Sequence, residues 1–342
     1  STLSVYMKRL NPSTPSRRKA LRSRSNVYEP SDRLLRSSQV KKDVLSSQSL
    51  EDLIPSECSV KVNFEKLLEK DEYILHYLRF MQNLEEKSYP KLMAHPAKAL
   101  MGETRCNVVN WLILLHVRLK LRQETLLFSV DLLDLVLARK AINADRIQLY
   151  ALSATWISTK INEVRSIDVA DLQRSASNRY RKRTICRCEQ FILNLVRFRL
   201  MLPVSLHFTY ILIAALDLEE DENGERLFYT SSYLVDTLLP HRSYLSLTPS
   251  LVAAASIYAS YMLVYDFTFR WPEGLRQLTC YTEDDLKPVS RLMLQEVAEA
   301  PTSDLRESYL KYKSEKTLGI SLCSWIQPSA VKTLLNYRFS SC

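Results

Sequence analysis

Glycine is scarce in this sequence, with only 4 among 342 residues. Tight hairpins, β-bulges and phosphate-cradling loops depend on glycine, because it adopts positive φ angles without strain. The shortage therefore argues against a β-sandwich and against a nucleotide-binding α/β fold. Hydrophobic residues make up 46% of the chain, which is enough for a sizeable core. The composition predicts an all-α protein.

Metal and catalytic motifs are also lacking. The seven cysteines are scattered and none is spaced as CxxC, which indicates reduced thiols in the cytosol or nucleus. Cys186 and Cys188 lie closest together, but no second Cys/His pair accompanies them, so we expect no zinc site. The five histidines have no metal-ligand spacing, and no Ser/His/Asp arrangement is recognisable. We therefore expect no cofactor and no enzymatic activity.

Only one uncharged stretch is long enough to raise the question of a membrane span. It covers residues 243–265, a length close to that of a bilayer-spanning helix. However, Thr248, Pro249 and several serines interrupt it, and no Lys/Arg cluster flanks it. A helix that is apolar on all sides is also typical of the centre of a soluble bundle. We favour the buried helix, and we expect neither a membrane anchor nor an N-terminal signal segment.

The net charge of +9 is concentrated near the N-terminus. Residues 1–50 contain eleven Lys and Arg against three Asp and Glu, which leaves the remainder near neutral in total. A domain that grips nucleic acid normally carries a basic face of its own, so we expect no direct nucleic-acid binding. Residues 1–62 are rich in Ser, Arg and Lys and lack apolar periodicity. This pattern predicts a disordered basic regulatory tail.

Two blocks of apolar-periodic sequence follow an N-terminal helix and linker, which we predict over residues 63–102,. The blocks span 103–203 and 204–301, and each predicts five helices with an apolar, small-residue helix in third place. Asn143 is the expected cap of the first such helix, and an acidic loop, "DLEEDENGE", is expected early in the second block. The repetition predicts a duplicated five-helix bundle. Residues 302–342 predict a C-terminal helix and tail.

Several separated strings resemble one family in that family's order. "TRCNVVNWLILLHVRLKLRQETLLFSVDLLDLVL" and "RIQLYALSATWISTKINEV" resemble a cyclin box. "RWPEGLRQLTCYTEDDLKPV" and "LRESYLKYKSEKTLGISL" resemble the end of the second box and the C-terminal helix of A- and B-type mitotic cyclins. The Trp-Pro and Leu-Lys-Pro spacing favours the A-type, and Asn110 and Leu135 replace an Asp and an Arg of the family, which marks a divergent member. The resemblance implies two tandem cyclin boxes that bind and activate a cyclin-dependent Ser/Thr protein kinase.

The resemblance assigns a kinase-binding pair to Lys160 and Glu189. In similar cyclins these residues hold the loop and helix that carry the kinase's mobile Glu. The alternative for Lys160 is a solvated charge near a helix C-terminus, where the helix dipole favours a cation. Four further positions match apolar kinase contacts of the family, and ordinary core packing is their alternative. These positions are Ile161, Leu193, Phe198 and Leu200.

Two more sites follow from the resemblance. Arg105 and Asp134 match a buried ion pair, for which we expect a structural role. The family's groove for Arg-x-Leu peptides of substrates or inhibitors is less well matched, because polar Thr104 and Asn107 replace a Met and an Ile. This change weakens burial of the peptide's Leu by about 1–2 kcal/mol, so we expect altered or weak docking. The groove positions are Thr104, Asn107, Val108, Trp111, Ile147 and Gln148.

The tail contains "RKALRSRSN", which resembles a destruction box. The resemblance implies capture by a ubiquitin ligase and timed proteolysis, whereas a solvated basic run or a nuclear address is the alternative. Thr14, which precedes Pro15, resembles a site for a proline-directed kinase, and a phosphate there would add about −2 charge. We expect the protein in the nucleus and cytoplasm. The matching destruction-box residues are Arg18, Ala20, Leu21 and Asn26.

Two rival functions stand beside kinase activation. A transcription factor with the same fold would contact promoter DNA, but it usually has an N-terminal zinc ribbon and basic repeats. Neither the cysteine spacing nor the near-neutral body supports that function. The second rival is a structural helical scaffold that activates no kinase. In that case the match of Lys160 and Glu189 to the family's kinase-binding pair would be a coincidence.

Overall fold

The computed structural model of the protein describes Val62, Leu67 and residues 72–88, 102–218, 222–265 and 267–339. These residues form thirteen α-helices, five short 3₁₀ turns and no β-strand. The prediction of an all-α fold is confirmed. The destruction box and Thr14 lie outside the described residues.

The helices are α1 (Ile74–Ser88), α2 (Gly102–Leu119), α3 (Gln123–Arg139), α4 (Ile147–Asn162), α5 (Val169–Ser175), α6 (Lys182–Leu195), α7 (Ser205–Ala215), α8 (Glu222–Leu238), α9 (Pro249–Val264), α10 (Glu273–Thr279), α11 (Glu283–Glu299), α12 (Glu307–Lys311) and α13 (Pro328–Arg338).

The connections between these helices include 3₁₀ turns. Four of them are three residues long, and a fifth, Arg242–Ser246, has five residues. One three-residue turn, Ala144–Arg146, precedes α4, and Asn143 stands at its N-cap without a side-chain cap hydrogen bond. Asn143 thus occupies an N-cap position, but the expected capping hydrogen bond is wrong, because its side chain bonds no backbone N–H of the turn.

Helices α2 to α6 and α7 to α11 form two consecutive five-helix repeats. The third helix of each is central: α4 packs against α2, α3 and α6, and α9 packs against α7, α8 and α11. Small residues such as Ala151, Ala154, Ala254 and Ala259 are fully buried in these two helices, which lets the neighbouring helices approach closely. Among the described residues, no helix has the length and apolarity needed to cross a membrane. The uncharged stretch forms α9, a helix at the centre of the second repeat.

The structure differs from the sequence predictions in two elements. The predicted acidic loop is shorter, because α8 already begins at Glu222. The C-terminal segment contains a second helix, α13, that the sequence did not predict. Its Val331 and Leu334 are buried against α11 and neighbouring segments, so tertiary packing stabilises it.

Polar groups join the two repeats and the C-terminal segment. Lys311 of α12 donates to Asp236 of α8 at 2.6 Å and to Gln123 of α3 at 2.5 Å. Gln123 donates in turn to the other oxygen of Asp236 at 2.6 Å. The Tyr244 hydroxyl donates to Asp131 of α3 at 2.9 Å. Because each buried charge has a partner here, the network fixes the orientation of one repeat against the other.

Helix α1 is anchored on the second repeat. Its Glu85 carboxylate accepts the Ser250 backbone N–H at 2.7 Å and the Ser250 hydroxyl at 2.5 Å, in the first turn of α9. Gln82 donates to the Leu278 carbonyl at 3.2 Å. A carboxylate at a helix N-terminus is favoured by the helix dipole and by the free N–H groups there. These contacts hold α1 against the repeat that is more distant in sequence.

The buried His116 predicts a pH dependence of stability. It lies on α2, and its Nδ1 has no hydrogen-bond partner among the described residues. Burial, together with the charge of Lys311, lowers the pKa of His116 well below its usual 6.5. The unfolded chain therefore takes up a proton before the folded chain does as the pH falls below 6.5. The free energy of unfolding should then decrease by up to about 1.4 kcal/mol per pH unit on acidification.

His116→Leu should remove this contribution, as measured by chemical denaturation at several pH values between neutral and mildly acidic. The control is His76→Leu, since His76 is exposed on α1. Equal pH slopes for the wild type and His116→Leu would contradict the assignment.

Candidate functional site

Lys160 and Glu189 meet on the surface of the first repeat. Lys160 lies in the last turn of α4 and Glu189 in the middle of α6, and their side chains form an ion pair. The Lys160 ammonium also lies 3.7 Å from the ring centroid of Trp156, a cation–π contact. The Lys160 side chain is still 41% exposed. The structure thus brings the two predicted residues together and leaves Lys160 accessible to a partner, whereas the Glu189 side chain is only 13% exposed.

The packing of α6 explains the position of Glu189. Ile185, Cys188 and Ile192 form the buried face of this amphipathic helix, which packs on α4. Glu189 follows Cys188 directly, so it lies at the edge of the buried face and close to the end of α4. Helical periodicity therefore determines which side chain of α6 reaches Lys160.

The four predicted apolar contacts divide into two groups. Ile161 is 46% exposed and Phe198 is 67% exposed, so ordinary core packing does not account for them. Leu193 and Leu200 are partly buried and pack against the core. Ile161, which directly follows Lys160, thus presents about half of its surface to solvent, and Phe198 presents about two thirds.

Sequence reasoning missed two further exposed residues. Val164, just after α4, is 95% exposed, and Met201, after the turn that ends α6, is 65% exposed. Large exposed apolar side chains in the segments that follow the two helices of the ion pair are candidates for an interaction surface. One sequence feature could have revealed them: large apolar residues occur in the two segments that directly follow the helices carrying Lys160 and Glu189. We call Ile161, Val164, Phe198 and Met201 the apolar surface.

An unusual turn presents Phe198. Arg197 and Phe198 have φ angles of 54° and 56°, a left-handed conformation that costs non-glycine residues about 1–2 kcal/mol each. The Phe198 N–H donates to the Leu193 carbonyl at 2.9 Å, and the Arg197 N–H donates to the Asn194 carbonyl at 3.1 Å. These bonds close the end of α6 and compensate part of the strain. The result is an aromatic ring held outward on a hydrogen-bonded turn.

The predicted groove positions lie on α2 and at the start of α4. Thr104, Asn107, Val108 and Trp111 share one face of α2 by their spacing, and all four are at least partly exposed,. Gln148 is half-buried, and its side-chain oxygen accepts a hydrogen bond from Tyr180 at 3.3 Å. Ile147 is different, because its side chain is fully buried in the core. Weak peptide docking at this face stays a prediction.

Arg105 and Asp134 form a buried, two-pronged ion pair. Arg105 Nε donates to one carboxylate oxygen at 2.7 Å, and Nη2 donates to the other at 2.6 Å. Nη1 donates to the carbonyls of Leu239 and Pro240, at 3.1 and 3.0 Å. Both side chains are only 3% exposed. The pair therefore joins α2 and α3 to the end of α8 in the second repeat.

The cysteines of the described residues include the Cys186 and Cys188 pair of α6. Cys188 is buried and Cys186 half-buried, and burial raises the pKa of the Cys188 thiol to about 11. Within the ranges that the structure describes, no three His, Cys, Asp or Glu side chains are grouped to hold a metal ion.

The charge of the two repeats is strongly polarised. Residues 102–203 contain seventeen Lys and Arg against nine Asp and Glu, a net charge of +8. Residues 204–301 contain six against fourteen, a net charge of −8. The expectation that the basic character belongs to the tail is therefore wrong for the first repeat, since the near-neutral total conceals two opposite charges. The repeat that carries Lys160 and Glu189 is the basic one.

Comparison with known proteins agrees with this architecture. The family model described as "Cyclin, N-terminal domain" matches residues 73–201, and "Cyclin, C-terminal domain" matches residues 203–325. The solved structure of a viral cyclin from herpesvirus saimiri matches with a TM-score of 0.57 and 18% identity, covering 66% of this chain and 97% of that chain. This likeness supports the fold.

Mitotic cyclins are among the similar curated proteins. The G2/mitotic-specific cyclin-B of Patella vulgata is 27% identical over 268 residues, which cover 77% of this chain and 63% of that protein. The G2/mitotic-specific cyclin-2 of Medicago sativa is 32% identical over 219 residues, which cover 64% of this chain and 65% of that protein. The chain spans about three fifths of the length of the first curated relatives it matches.

The names of these relatives also bear on the subtype. Several are called cyclin-B, so the preference for an A-type member, drawn from the Trp-Pro and Leu-Lys-Pro spacing, is not supported. The two matched domains follow one another along the chain and coincide with the two helical repeats. The chain belongs to the cyclin family.

Proposed function

We propose that this chain is a non-catalytic regulatory subunit that binds and activates a cyclin-dependent Ser/Thr protein kinase in mitotic progression. Its family membership and its mitotic cyclin-B relatives support the proposal. The single observation that carries it is the exposed ion pair of Lys160 and Glu189 beside the apolar surface. A partner that covers this region gains apolar burial and two oriented charges at once.

The physical mechanism is a shift of the kinase's conformational population. A protein kinase is active only when a Glu on a mobile helix pairs with the active-site Lys that orients the phosphates of ATP. A partner surface that binds the inward position of that helix better than the outward position raises the active population. Lys160 and Glu189 supply one donor and one acceptor for this purpose, and the apolar surface supplies the binding energy.

An activity assay with purified proteins tests this function. The full chain is added to each of a panel of purified cyclin-dependent kinases, and phosphate transfer to a histone peptide is measured. We expect stable binding and a large increase in activity for at least one kinase. Failure to bind or activate any of them, together with a shift of promoter DNA in a gel, would instead favour the transcription-factor function. Failure in both assays would favour a helical scaffold.

We further propose that the tail limits the lifetime of the protein. The residues Arg18, Ala20, Leu21 and Asn26 fit a destruction box, which a ubiquitin ligase would bind as an extended peptide. Thr14 lies a few residues upstream, where added phosphate would face the neighbouring arginines. A protein removed in this way would act in the nucleus and cytoplasm during division.

Turnover through mitotic exit tests the tail. Arg18→Ala combined with Leu21→Ala should make the protein persist after mitosis, as followed by immunoblot in synchronised cells. The matched control is Arg22→Ala with Arg24→Ala, which removes two positive charges from the same stretch but leaves the four motif residues unchanged. Equal turnover of the motif variant and the wild type would reduce the stretch to a basic run.

A further inference from the structure

Three arginines converge at the corner of the first repeat that presents Phe198. Arg139 is the last residue of α3, and its Nη1 donates to the Leu195 carbonyl at the end of α6, at 3.1 Å. Arg197 and Arg199 follow Leu195 in the turn that ends α6, and all three side chains are exposed. Chain geometry therefore places three guanidinium groups around one helix end. We call these residues the arginine cluster.

The arginine cluster is not neutralised within the described part of the protein. None of its members forms an ion pair with a carboxylate of the described residues. Burial and the charges of Arg197 and Arg199 lower the pKa of Arg139, which agrees with like charges lying close together. Some other surface arginines of the two repeats do have carboxylate partners, as Arg174 has in Asp171 and Arg276 has in Glu273.

The arginine cluster is continuous with the apolar surface. Phe198 stands between Arg197 and Arg199 in the chain and is 67% exposed. A partner that covers the Phe198 ring must also remove water from the guanidinium groups on either side. Cations that lose water without gaining an anion weaken an interface, whereas matched carboxylates strengthen it and speed association. The partner must therefore supply acidic groups at this corner.

We propose that the arginine cluster selects the kinase partner by pairing with carboxylates on the kinase surface that borders Phe198. This inference rests on the proposed kinase-binding function. Guanidinium groups suit the task because they bind carboxylates with two parallel hydrogen bonds and stay charged at all physiological pH values. The kinase it selects carries acidic side chains at that edge, and kinases with neutral or basic edges bind more weakly.

Affinity measurements at low and high salt test the selection. The probe is the purified, unphosphorylated kinase that binds the wild-type chain in the panel described above. Arg197→Gln with Arg199→Gln should weaken binding by about tenfold or more at low salt and reduce the salt dependence of the Kd. Arg139 is left unchanged because it also bonds the end of α6. The matched control is Arg183→Gln with Arg187→Gln, which removes two exposed arginines from the N-terminal half of α6.

Each outcome of these affinity measurements either supports or overturns the proposed role of the arginine cluster. The inference holds if only the Arg197/Arg199 variant loses affinity while its melting temperature equals that of the wild type. It is overturned if that variant binds as the wild type does, or if the control loses as much, since the effect is then one of net charge. Binding that requires phosphorylated kinase would assign the anion to phosphate and overturn the carboxylate pairing. If the wild-type chain binds no kinase, the proposed function fails and this inference fails with it.

Discussion

Replacing both Lys160 and Glu189 with alanine is expected to reduce kinase activation by about 100-fold or more. The fold should survive, because an exposed ion pair contributes only about 0–1 kcal/mol to stability. Under the proposed function, however, the kinase would lose the donor and acceptor that hold its mobile helix inward, and its population would return to the inactive form. Phosphate transfer to a histone peptide measures the loss, and thermal unfolding of the variant checks the fold.

A charge exchange separates a kinase contact from a structural role. Lys160→Glu with Glu189→Lys keeps an ion pair within the protein but presents the two charges in reversed positions. We expect this variant to be as stable as the wild type and inactive towards the kinase. The matched control removes another exposed pair of the same repeat, Asp171 and Arg174 on α5, and should activate normally. Intact activation by the double alanine variant would favour the helical scaffold.

Asp134→Asn is expected to lower the free energy of unfolding by about 3–5 kcal/mol, since it leaves a buried guanidinium without its counter-charge. This loss corresponds to a fall in melting temperature of roughly 10 °C. The effect is large because Arg105 also bonds the carbonyls of Leu239 and Pro240, so the damage reaches both repeats. Differential scanning calorimetry of the full chain measures the change.

The control for this substitution is Asp171→Asn, the same chemical change in an exposed pair. It should alter the free energy of unfolding by less than about 1 kcal/mol. An unchanged melting temperature for Asp134→Asn would mean that the buried pair contributes no net stability.

Local pattern predicted most of the helical framework. The ten helices of the two repeats follow apolar periodicity, and their small-residue third helices are central because only small side chains allow packing on every side. The pairing of Lys160 with Glu189 was predictable only through the family resemblance. Spacing alone does not reveal that the last turn of α4 meets the middle of α6, where the two paired residues are 29 positions apart in sequence.

Features that depend on distant contacts were not predictable. Helix α13 has weak local signals, and its Val331 and Leu334 are buried by other elements. The exposure of Phe198 depends on a left-handed turn at Arg197 and Phe198. No glycine in this segment predicts that turn. In both cases the decisive information lies in tertiary packing. The opposite charges of the repeats, by contrast, could be counted from the sequence, but totalling the charge over the chain concealed them.

The polar links between the repeats also affect the thermodynamics of complex formation. Arg105 bonds to Leu239 and Pro240, Asp131 to Tyr244, and Lys311 to both Gln123 and Asp236. Repeats joined in this way should unfold in one cooperative transition, and they have little backbone freedom left to lose on association. In the proposed complex, the conformational entropy lost on association would therefore fall mainly on the kinase, because its mobile helix and loop would become ordered on a surface that is already in place.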